Sequence, residues 1–373
     1  MPPSKNILIL YITERSGHHH AALALQKAFL SIDPSARVTC VNGFRYIFPV
    51  AERLIHKTYL FVIKRMPFIW RNMYDQPRFF RSTDRIKHWI HRRAVGRIKN
   101  LLEQTRPDAV LCTQAFPCGL FAFYKKEYAS VYKLYGVLTD FAPHAYWVHD
   151  EADGYIVGSD QTRHWLAEKG VPADRIHTFG IPIDPKFSRS LDVAEVKANY
   201  GLEQDVPVVL IMGGGHGLGP IKKVLKSLDE SCLKLQLIVV CGINEKLYRW
   251  LLRQRFQRRM LAFRYTDQID RLMSAASLIV TKPGGITTAE ALAKQLPMVI
   301  LHPIPGQEKR NTDFLVSQQA ALSADGVSDI VPAVEKILSH ASSAQRMKEA
   351  IVNAGLNKPT SAQQTARFVL ERL

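Results

Sequence analysis

The chain has 373 residues, of which 47% are hydrophobic and 22% are charged, a balance that excludes a disordered or fibrous protein. Its 50 Lys and Arg residues outnumber its 33 Asp and Glu residues, so the formal charge is +17 and an anionic partner is expected: nucleic acid, a phosphate-bearing substrate or an acidic membrane. At about 100–200 residues per domain, this length predicts two domains.

Other protein classes are disfavoured by specific absences. The longest apolar runs, such as 7–12 and 206–212, have strand length, far below the about 20 residues that a membrane-spanning helix needs. Five cysteines without a C-x-x-C pair indicate neither a disulfide framework nor a zinc site. The first residues carry no signal-peptide pattern. We therefore expect a cytoplasmic protein with reduced thiols.

In the first half of the chain, short β-branched runs alternate with longer amphipathic stretches. This alternation is typical of βαβ units and of a parallel sheet. The predicted elements, in chain order, are a strand at 6–13, a helix at 18–31, strands at 37–41, 109–112, 132–138 and 155–157, a helix at 162–169 and a strand at 176–178.

The segment 44–107 interrupts this series and concentrates the positive charge. It holds 15 Lys and Arg residues against four Asp and Glu residues, together with 11 of the 35 aromatic residues. Such a mixture suits an anionic bilayer, because aromatic rings occupy the headgroup boundary and each cation contributes about 1 kcal/mol near acidic lipid. Two ordinary amphipathic helices with solvated basic faces explain the pattern equally well. Nucleic-acid binding is a third interpretation, but no RRM, KH or zinc-finger signature supports it.

A Pro-rich stretch at 180–185 predicts a linker, and a second α/β series follows it. We therefore predict an α/β fold with two doubly wound halves that face a central cleft, where ligands bind beyond the carboxyl ends of the strands. The strands predicted in the second half lie at 206–212, 235–241, 260–263, 278–281 and 298–301.

A glycine-rich run at 213–219 lies between a predicted strand and a predicted helix. Glycines let the backbone approach a phosphate closely, and a helix N-terminus presents unpaired N–H groups to it. The run is not a G-x-x-x-x-G-K-[ST] loop, and its glycines do not match the dinucleotide fingerprint. It predicts either an anion site or simply a tight strand–helix turn.

The stretch 281–292 is more specific. Here a strand ends in the pair Gly284-Gly285, and Thr287 and Thr288 open a helix with Glu290 in its first turn. This combines an anion-binding helix terminus with a carboxylate suited to a ribose diol. The next strand leads into the loop 302–308, whose Gln and Glu are suited to sugar hydroxyls. Together these strand ends predict a nucleotide-sugar pocket, although Glu290 alone also fits an ordinary acid at a helix N-terminus.

Three consecutive histidines, 18–20, follow the first strand. On a helix they point about 100° apart and cannot all bind one metal, so no metal site is predicted. One histidine at a strand end is suited to act as a general base, because its pKa lies near neutrality. Further along, Asp140, His144 and Trp147 follow another strand, where a purely structural role is equally open.

These motifs together resemble the family of monogalactosyldiacylglycerol synthases and processive diacylglycerol glucosyltransferases, which are inverting enzymes of glycosyltransferase family 28. The chain is more distantly similar to the GlcNAc transferase of peptidoglycan lipid intermediates. The matching stretches occur in family order over about residues 6–320. They are 17–18, 139–140 with His144 and Trp147, 153–155, 180–182, 212–220, 280–292 and 305–308.

The resemblance implies a GT-B fold of two Rossmann-like domains and transfer of a hexose from UDP-glucose or UDP-galactose to diacylglycerol or a related lipid. Residues 1–183 would form the acceptor-binding and membrane-binding domain, residues 184–356 the donor domain, and residues 357–373 a helix that packs back on the first domain. Enzymes of this type need no bound cofactor or metal, because helix dipoles and backbone amides stabilise the leaving diphosphate.

The resemblance also implies roles for individual residues. By position, His18 is the catalytic base and Asp140 a second catalytic residue. The acceptor is assigned to Gly17, His144 and Trp147. The donor is assigned to Gly213, Gly214, Gly215, Gly284, Gly285 and Thr287, with the ribose on Glu290 and the hexose on Gln307 and Glu308.

One stretch departs from the family pattern. The family usually has further glycines before the histidine, whereas this chain has Glu14-Arg15-Ser16-Gly17-His18, so that Arg15 adds bulk and charge near the acceptor or the donor phosphate. Three alternative functions stay open: transfer to a polyprenyl-diphosphate-linked sugar, UDP-sugar epimerisation without lipid, and non-catalytic lipid binding. We expect peripheral association with the inner face of an anionic membrane through residues 44–107, and no nucleic-acid partner.

Overall fold

A computed structural model of the chain describes residues 4–49, 84–301 and 306–373. The chain divides into two compact units. Unit 1 consists of the residues up to Pro185, a short stretch that ends at Gln307, and Thr360–Leu373. Unit 2 consists of Lys186–Pro303 and Glu308–Pro359. The unit boundaries after Pro185 and after Pro359 lie two and three residues beyond the predicted domain boundaries at 183 and 356.

Strands and helices alternate along both units. The strands are β1 (Asn6–Tyr11), β2 (Arg37–Asn42), β3 (Ala109–Cys112), β4 (Lys133–Val137), β5 (Gly154–Ile156), β6 (Ile176–His177), β7 (Val208–Met212), β8 (Gln236–Val240), β9 (Met260–Phe263), β10 (Leu278–Thr281), β11 (Met298–Leu301) and β12 (Ala321–Ala324). The helices are α1 (Gly17–Ile32), α2 (Gly43–Ile47), α3 (Asp84–Thr105), α4 (Ala115–Glu127), α5 (Asp160–Glu168), α6 (Val193–Asn199), α7 (Ile221–Glu230), α8 (Glu245–Leu252), α9 (Ile269–Ala275), α10 (Gly285–Ala293), α11 (Gln307–Ser317), α12 (Ile330–Leu338), α13 (Ala341–Asn353) and α14 (Ser361–Leu370).

Unit 1 is built on a six-stranded parallel sheet with the order β2-β1-β3-β4-β5-β6. Strand β1 is buried from Ile7 onwards and β3 is buried throughout, since helices cover both faces of a parallel sheet. The order reverses between β1 and β3, where Leu10 is in register with Cys112. Ligands of doubly wound sheets bind at this kind of reversal, beyond the carboxyl ends of the strands.

The last helix, α14, belongs to unit 1 and packs against α1. The Ser361 hydroxyl donates to the Ile181 carbonyl at 2.9 Å and accepts from the Ile183 amide at 3.3 Å. Along the same helix, the Phe368 ring lies 4.0 Å from the His177 ring. Apolar side chains of α1, β1, β3 and α14 form one buried cluster, so burial of this face holds the end of the chain on unit 1.

Unit 2 repeats the architecture with the order β12-β11-β10-β7-β8-β9, again parallel throughout. The reversal lies between β7 and β10, where Met212 is in register with Thr281. Strand β12 was not predicted, because Ala321–Ala324 contains no β-branched or aromatic residue. It forms by pairing with β11. The predicted α/β class with two doubly wound parallel sheets is confirmed.

Several side chains in the described ends of the basic segment 44–107 pack within unit 1, whereas others, such as Arg45 and Lys99, are exposed. The Phe44 and Phe48 rings lie 5.4 and 6.2 Å from the Phe116 ring. Arg97 donates to the Ile47 carbonyl at 2.8 Å, at the C-terminus of α2, where carbonyls lack helical partners. These side chains therefore stabilise the fold. Residues 50–83 of the predicted membrane-binding segment lie outside the described residues. Among the helices of the described ranges, none has the length and apolar character to cross a membrane.

Candidate functional site

The turn between β1 and α1 is an unusual backbone segment. Thr13 and Arg15 have φ angles of 58° and 59°, in the left-handed region that favours glycine. The Ser16 hydroxyl holds the turn: it donates to the Thr13 carbonyl at 2.7 Å and accepts from the His19 amide at 3.3 Å, at the N-cap of α1. At Arg15 the backbone therefore has the left-handed conformation that turns usually assign to glycine. Gly17, the first residue of α1, is exposed.

His18 lies in the first turn of α1, beyond the carboxyl end of β1. Its Nδ1 is 2.8 Å from the Thr113 carbonyl oxygen and 2.9 Å from Thr139 Oγ1. Because a carbonyl only accepts, Nδ1 carries the hydrogen, and the lone pair of the neutral ring is on Nε2. Burial lowers the pKa of His18 from 6.5 to about 4, against the effect of the Thr113 hydrogen bond, which raises it. The ring is therefore neutral at pH 7 and able to accept a proton at Nε2.

His19 has a different environment. Its Nδ1 accepts from the Arg15 amide at 3.0 Å and lies 3.5 Å from a Glu14 carboxylate oxygen, and its ring stacks on Tyr11 at 4.4 Å. These contacts make His19 part of the turn, which favours His18 as the base. Within the part of the chain that the structure describes, no group of three His, Cys, Asp or Glu side chains could hold a metal.

The other acceptor-side residues follow β4. Trp147 is only 5% exposed and packs in the core of unit 1, so in this structure it supports the loop from within. His144 is partly exposed and its ring meets the Tyr146 ring edge-on at 5.4 Å. Asp140 accepts a hydrogen bond from the Gln307 side-chain amide, and both residues belong to unit 1. A residue predicted to be catalytic and a residue predicted to bind the hexose are thus in direct contact.

The glycine-rich run in unit 2 folds tightly on itself. A Cβ at Gly213 would lie 2.1 Å from the Leu218 carbonyl oxygen, and one at Gly217 would lie 2.1 Å from that of Cys241. The Asn244 amide holds the run by donating to the Gly217 carbonyl at 3.0 Å. The tight-turn interpretation therefore accounts for Gly213 and Gly217. Gly215 is exposed, and Gly214 is partly exposed, so these two remain accessible to a ligand.

Helix α10 begins at Gly285, with Gly284 as an N-cap that provides no side-chain hydrogen bond. The first intrahelical bond runs from the Thr288 amide to the Gly284 carbonyl at 3.0 Å, so the amides of residues 285–287 precede it and are available to an anion. Thr287 and Glu290 are partly exposed. The predicted helix start at Thr287 is wrong by two residues, since Gly284 already has extended N-cap dihedrals, and Glu290 lies in the second turn.

The structure adds Lys282, to which the sequence motifs assigned no role, to the candidate donor site. Its Nζ lies 2.5 Å from Glu308 Oε1. Its Cε lies 2.9 Å from the position that a Cβ would take at Gly214, and its Nζ lies 3.8 Å from the corresponding position at Gly284. The ammonium group therefore lies beside both glycine segments assigned to the diphosphate, and Glu308, assigned to the hexose, binds it. The sequence pattern that indicates this position is a lysine directly after a predicted strand and shortly before a Gly pair.

Two parallel six-stranded sheets, each with predicted site residues beyond its strand-order reversal, define a GT-B fold. Solved structures share this fold, but their sequence identity to this chain is so low that the similarity shows the fold alone. MurG of Acinetobacter baumannii matches with a TM-score of 0.65 and 15% identity, covering 99% of this chain and 100% of that one. Anabaena Alr3699/HepE in complex with UDP-glucose matches with a TM-score of 0.57 and 14% identity, covering 98% and 99% of the two chains.

Sequence comparison defines the family. The model of monogalactosyldiacylglycerol (MGDG) synthase matches residues 18–183, and that of the glycosyltransferase family 28 C-terminal domain matches residues 208–365. The processive diacylglycerol beta-glucosyltransferase of Bacillus cereus (strain B4264) is 31% identical over 368 residues, covering 96% of this chain and 92% of that protein. The protein of the same name from Bacillus cytotoxicus is 32% identical over 379 residues, covering 100% and 95%. The chain belongs to the family of monogalactosyldiacylglycerol synthases and processive diacylglycerol glucosyltransferases, as the sequence motifs predicted.

Proposed function

We propose that this protein is an inverting glycosyltransferase that transfers glucose or galactose from a UDP-sugar to diacylglycerol or a related lipid and forms a β-glycolipid. Family membership and near-full-length similarity to processive diacylglycerol beta-glucosyltransferases support the reaction class. The observation that carries the mechanism is the neutral His18 ring, with Nδ1 held by Thr113 and Nε2 able to accept a proton.

In the proposed reaction, His18 Nε2 takes the proton of the lipid hydroxyl while its oxygen forms a bond to C1 of the hexose. The bond between C1 and the diphosphate oxygen breaks, and UDP leaves with the electron pair. Attack on the face opposite to UDP converts an α-linked donor into a β-linked product. A histidine with a pKa of about 4 is a weak base, so proton transfer accompanies formation of the C–O bond instead of preceding it.

Negative charge develops on the diphosphate as UDP leaves. The amides at the start of α10 and the Lys282 ammonium group supply positive charge beside Gly214 and Gly284. This arrangement supports diphosphate binding by unit 2, with Glu290 proposed to bind the ribose. Release of Glu308 from Lys282 would then allow its carboxylate to bind a hexose hydroxyl beside Gln307.

The acceptor and the membrane are assigned to unit 1. Asp140 and His144 are both partly exposed after β4, which supports a role for this loop in acceptor binding. The basic, aromatic-rich segment 44–107 is proposed to hold the protein peripherally on the inner face of an anionic membrane, where the lipid acceptor resides. Arg97 and the Phe44–Phe48 pair serve the fold, so the remaining basic residues of the segment would carry the lipid contact.

The test is a direct assay. Purified protein is incubated with labelled UDP-glucose or UDP-galactose and liposomes that contain diacylglycerol, and the lipid extract is analysed for β-glycolipid, with His18→Gln as the inactive control. Glycolipid together with released UDP is expected for one donor or both. Absence of glycolipid with either donor across several lipid acceptors would overturn the proposal. Product formed only on a polyprenyl-diphosphate-linked sugar, or conversion of the UDP-sugar without lipid, would support the respective alternative.

A further inference from the structure

We propose that Thr139 is a positioning residue for the catalytic base: its hydroxyl group, together with the Thr113 carbonyl, holds the His18 imidazole in the orientation and tautomer that present Nε2 to the acceptor. This inference deepens the proposed function and rests on the role of His18 in it. The sequence motif around Asp140 assigns no such role to Thr139.

The first argument is the geometry around His18 Nδ1. Thr113 follows β3 and Thr139 follows β4, so the carboxyl ends of adjacent parallel strands bring both oxygens to the same ring nitrogen. The distances are 2.8 Å from the Thr113 carbonyl and 2.9 Å from Thr139 Oγ1. Both residues are buried, with exposures of 0% and 4%. Two oxygens fixed in the core define the ring plane better than one would.

The second argument is that the backbone of His18 is fixed as well. The Thr113 hydroxyl lies 3.0 Å from the His18 carbonyl oxygen and 3.2 Å from that of Leu10, so its single hydrogen is shared between the first turn of α1 and β1. The Thr113 hydroxyl therefore fixes the position of the His18 backbone. The Thr113 carbonyl and the Thr139 hydroxyl fix the orientation of the imidazole ring. Removal of the Thr139 hydroxyl leaves the position of the His18 backbone unchanged. A substitution of Thr139 therefore tests the orientation of the ring alone.

The third argument is the chemistry of the two partners. With hydrogen on Nδ1, that N–H is shared between the Thr113 carbonyl and the Thr139 hydroxyl oxygen, and both act as acceptors. When Nε2 takes the acceptor's proton, the ring becomes a cation and the same two bonds become stronger. Both partners are uncharged, so they orient the ring without the increase in pKa that a carboxylate partner would cause. Asp140, the acid beside Thr139, is bound by Gln307.

The test compares Thr139→Val, which keeps the shape but removes the hydroxyl, with Thr139→Ser, which keeps the hydroxyl. For Thr139→Val we expect kcat to fall about tenfold, since a misplaced base is costly, with the KM for the UDP-sugar donor unchanged. Thr139→Ser should recover most of the kcat. Thr365→Val is the matched control, because the buried Thr365 hydroxyl donates to the Ser361 carbonyl at 2.8 Å in α14, outside the site and outside the segment 44–107. It should retain wild-type kcat.

A second measurement is independent of turnover. In protein labelled with ¹⁵N-histidine, with His18 assigned from the His18→Gln spectrum, the wild type should show a protonated Nδ1 and an unprotonated Nε2. In Thr139→Val the two shifts should move towards each other. Wild-type kcat together with wild-type shifts in Thr139→Val would overturn the positioning role. If that variant does not fold by circular dichroism, Thr139→Ala against Thr139→Ser decides the same question. If the wild-type protein forms no glycolipid but the shifts respond as expected, the proposed function fails while the contact is real.

Discussion

The ammonium group of Lys282 lies 2.5 Å from the Glu308 carboxylate, and both side chains are mostly buried in unit 2. The pair joins the residue after β10 to the first turn of α11. Within this pair each charge neutralises the other. A diphosphate beside Gly214 and Gly284 would compete with Glu308 for Lys282. Donor binding is therefore expected to exchange one anionic partner of Lys282 for another.

Replacement of the lysine tests this exchange. Lys282→Gln should weaken UDP binding about tenfold, because a hydrogen bond between two charged groups is lost. Binding of uridine, which carries no phosphate, should not change. Isothermal titration with both ligands measures the difference, and Lys309→Gln, which breaks a surface pair with Asp313 on α11, is the control. Equal losses for UDP and uridine would show that Lys282 supports the fold of the site instead of the diphosphate.

Replacement of the glutamate should have the opposite effect on UDP. Glu308→Gln removes the competing carboxylate, so we expect UDP to bind at least as tightly as in the wild type. Turnover of UDP-glucose should nevertheless fall, because Glu308 is proposed to bind the hexose once Lys282 releases it. Titration with UDP and steady-state kinetics separate the two effects. A loss of UDP affinity as large as that of Lys282→Gln would contradict the exchange.

The pH dependence of turnover should report His18. The base works only when Nε2 is unprotonated, so activity is lost as pH falls through its pKa. Burial lowers that pKa from 6.5 to about 4. We therefore expect kcat to stay level from pH 8 down through 6.5 and to fall only towards pH 4. The measurement is kcat at saturating donor and lipid, with circular dichroism at each pH to verify folding. An acid limb centred at pH 6.5 in the wild type would contradict the lowered pKa of His18.

The turn before His18 allows a stability test. Arg15 has a φ of 59°, which costs a residue with a Cβ about 1 kcal/mol but costs glycine little. Arg15→Gly should therefore be more stable than Arg15→Ala by about 1 kcal/mol, since alanine keeps the strain. Both variants lack the exposed guanidinium group, so the comparison isolates the backbone. Urea unfolding measures it, and equal stabilities would mean that the turn relaxes without cost.

The proposed membrane attachment should depend on the middle of the basic segment. Replacing the five Lys and Arg residues of 64–81 by Gln should lower binding to vesicles that contain acidic lipid, and added salt should reduce wild-type binding in the same way. UDP affinity should not change. Arg97→Gln is the contrasting variant, because Arg97 binds the carbonyl of Ile47 and its loss should lower thermal stability instead. If vesicle binding and UDP binding fall together, the charges serve the fold.

The sequence by itself determined the architecture and the family. Alternation of β-branched runs with amphipathic stretches is a local property, so two parallel sheets were predictable strand by strand, except where β12 lacks β-branched residues. Glycine turns and helix starts are also encoded by short stretches of sequence. The order of these motifs along the chain therefore identified the family. Local patterns alone were therefore enough to locate the strand ends that carry His18, Gly214 and Gly284.

The tertiary structure alone decided which side chains meet. Thr113 and Thr139 are 95 and 121 residues from His18, and only the register of three parallel strands brings their oxygens to one ring nitrogen. The same holds for Lys282 and Glu308, which are 26 residues apart at the ends of neighbouring elements. The low pKa of His18 arises from burial, which depends on everything packed around it. Local patterns determine elements and motifs, whereas contacts, burial and hence reactivity depend on long-range packing that no short pattern encodes.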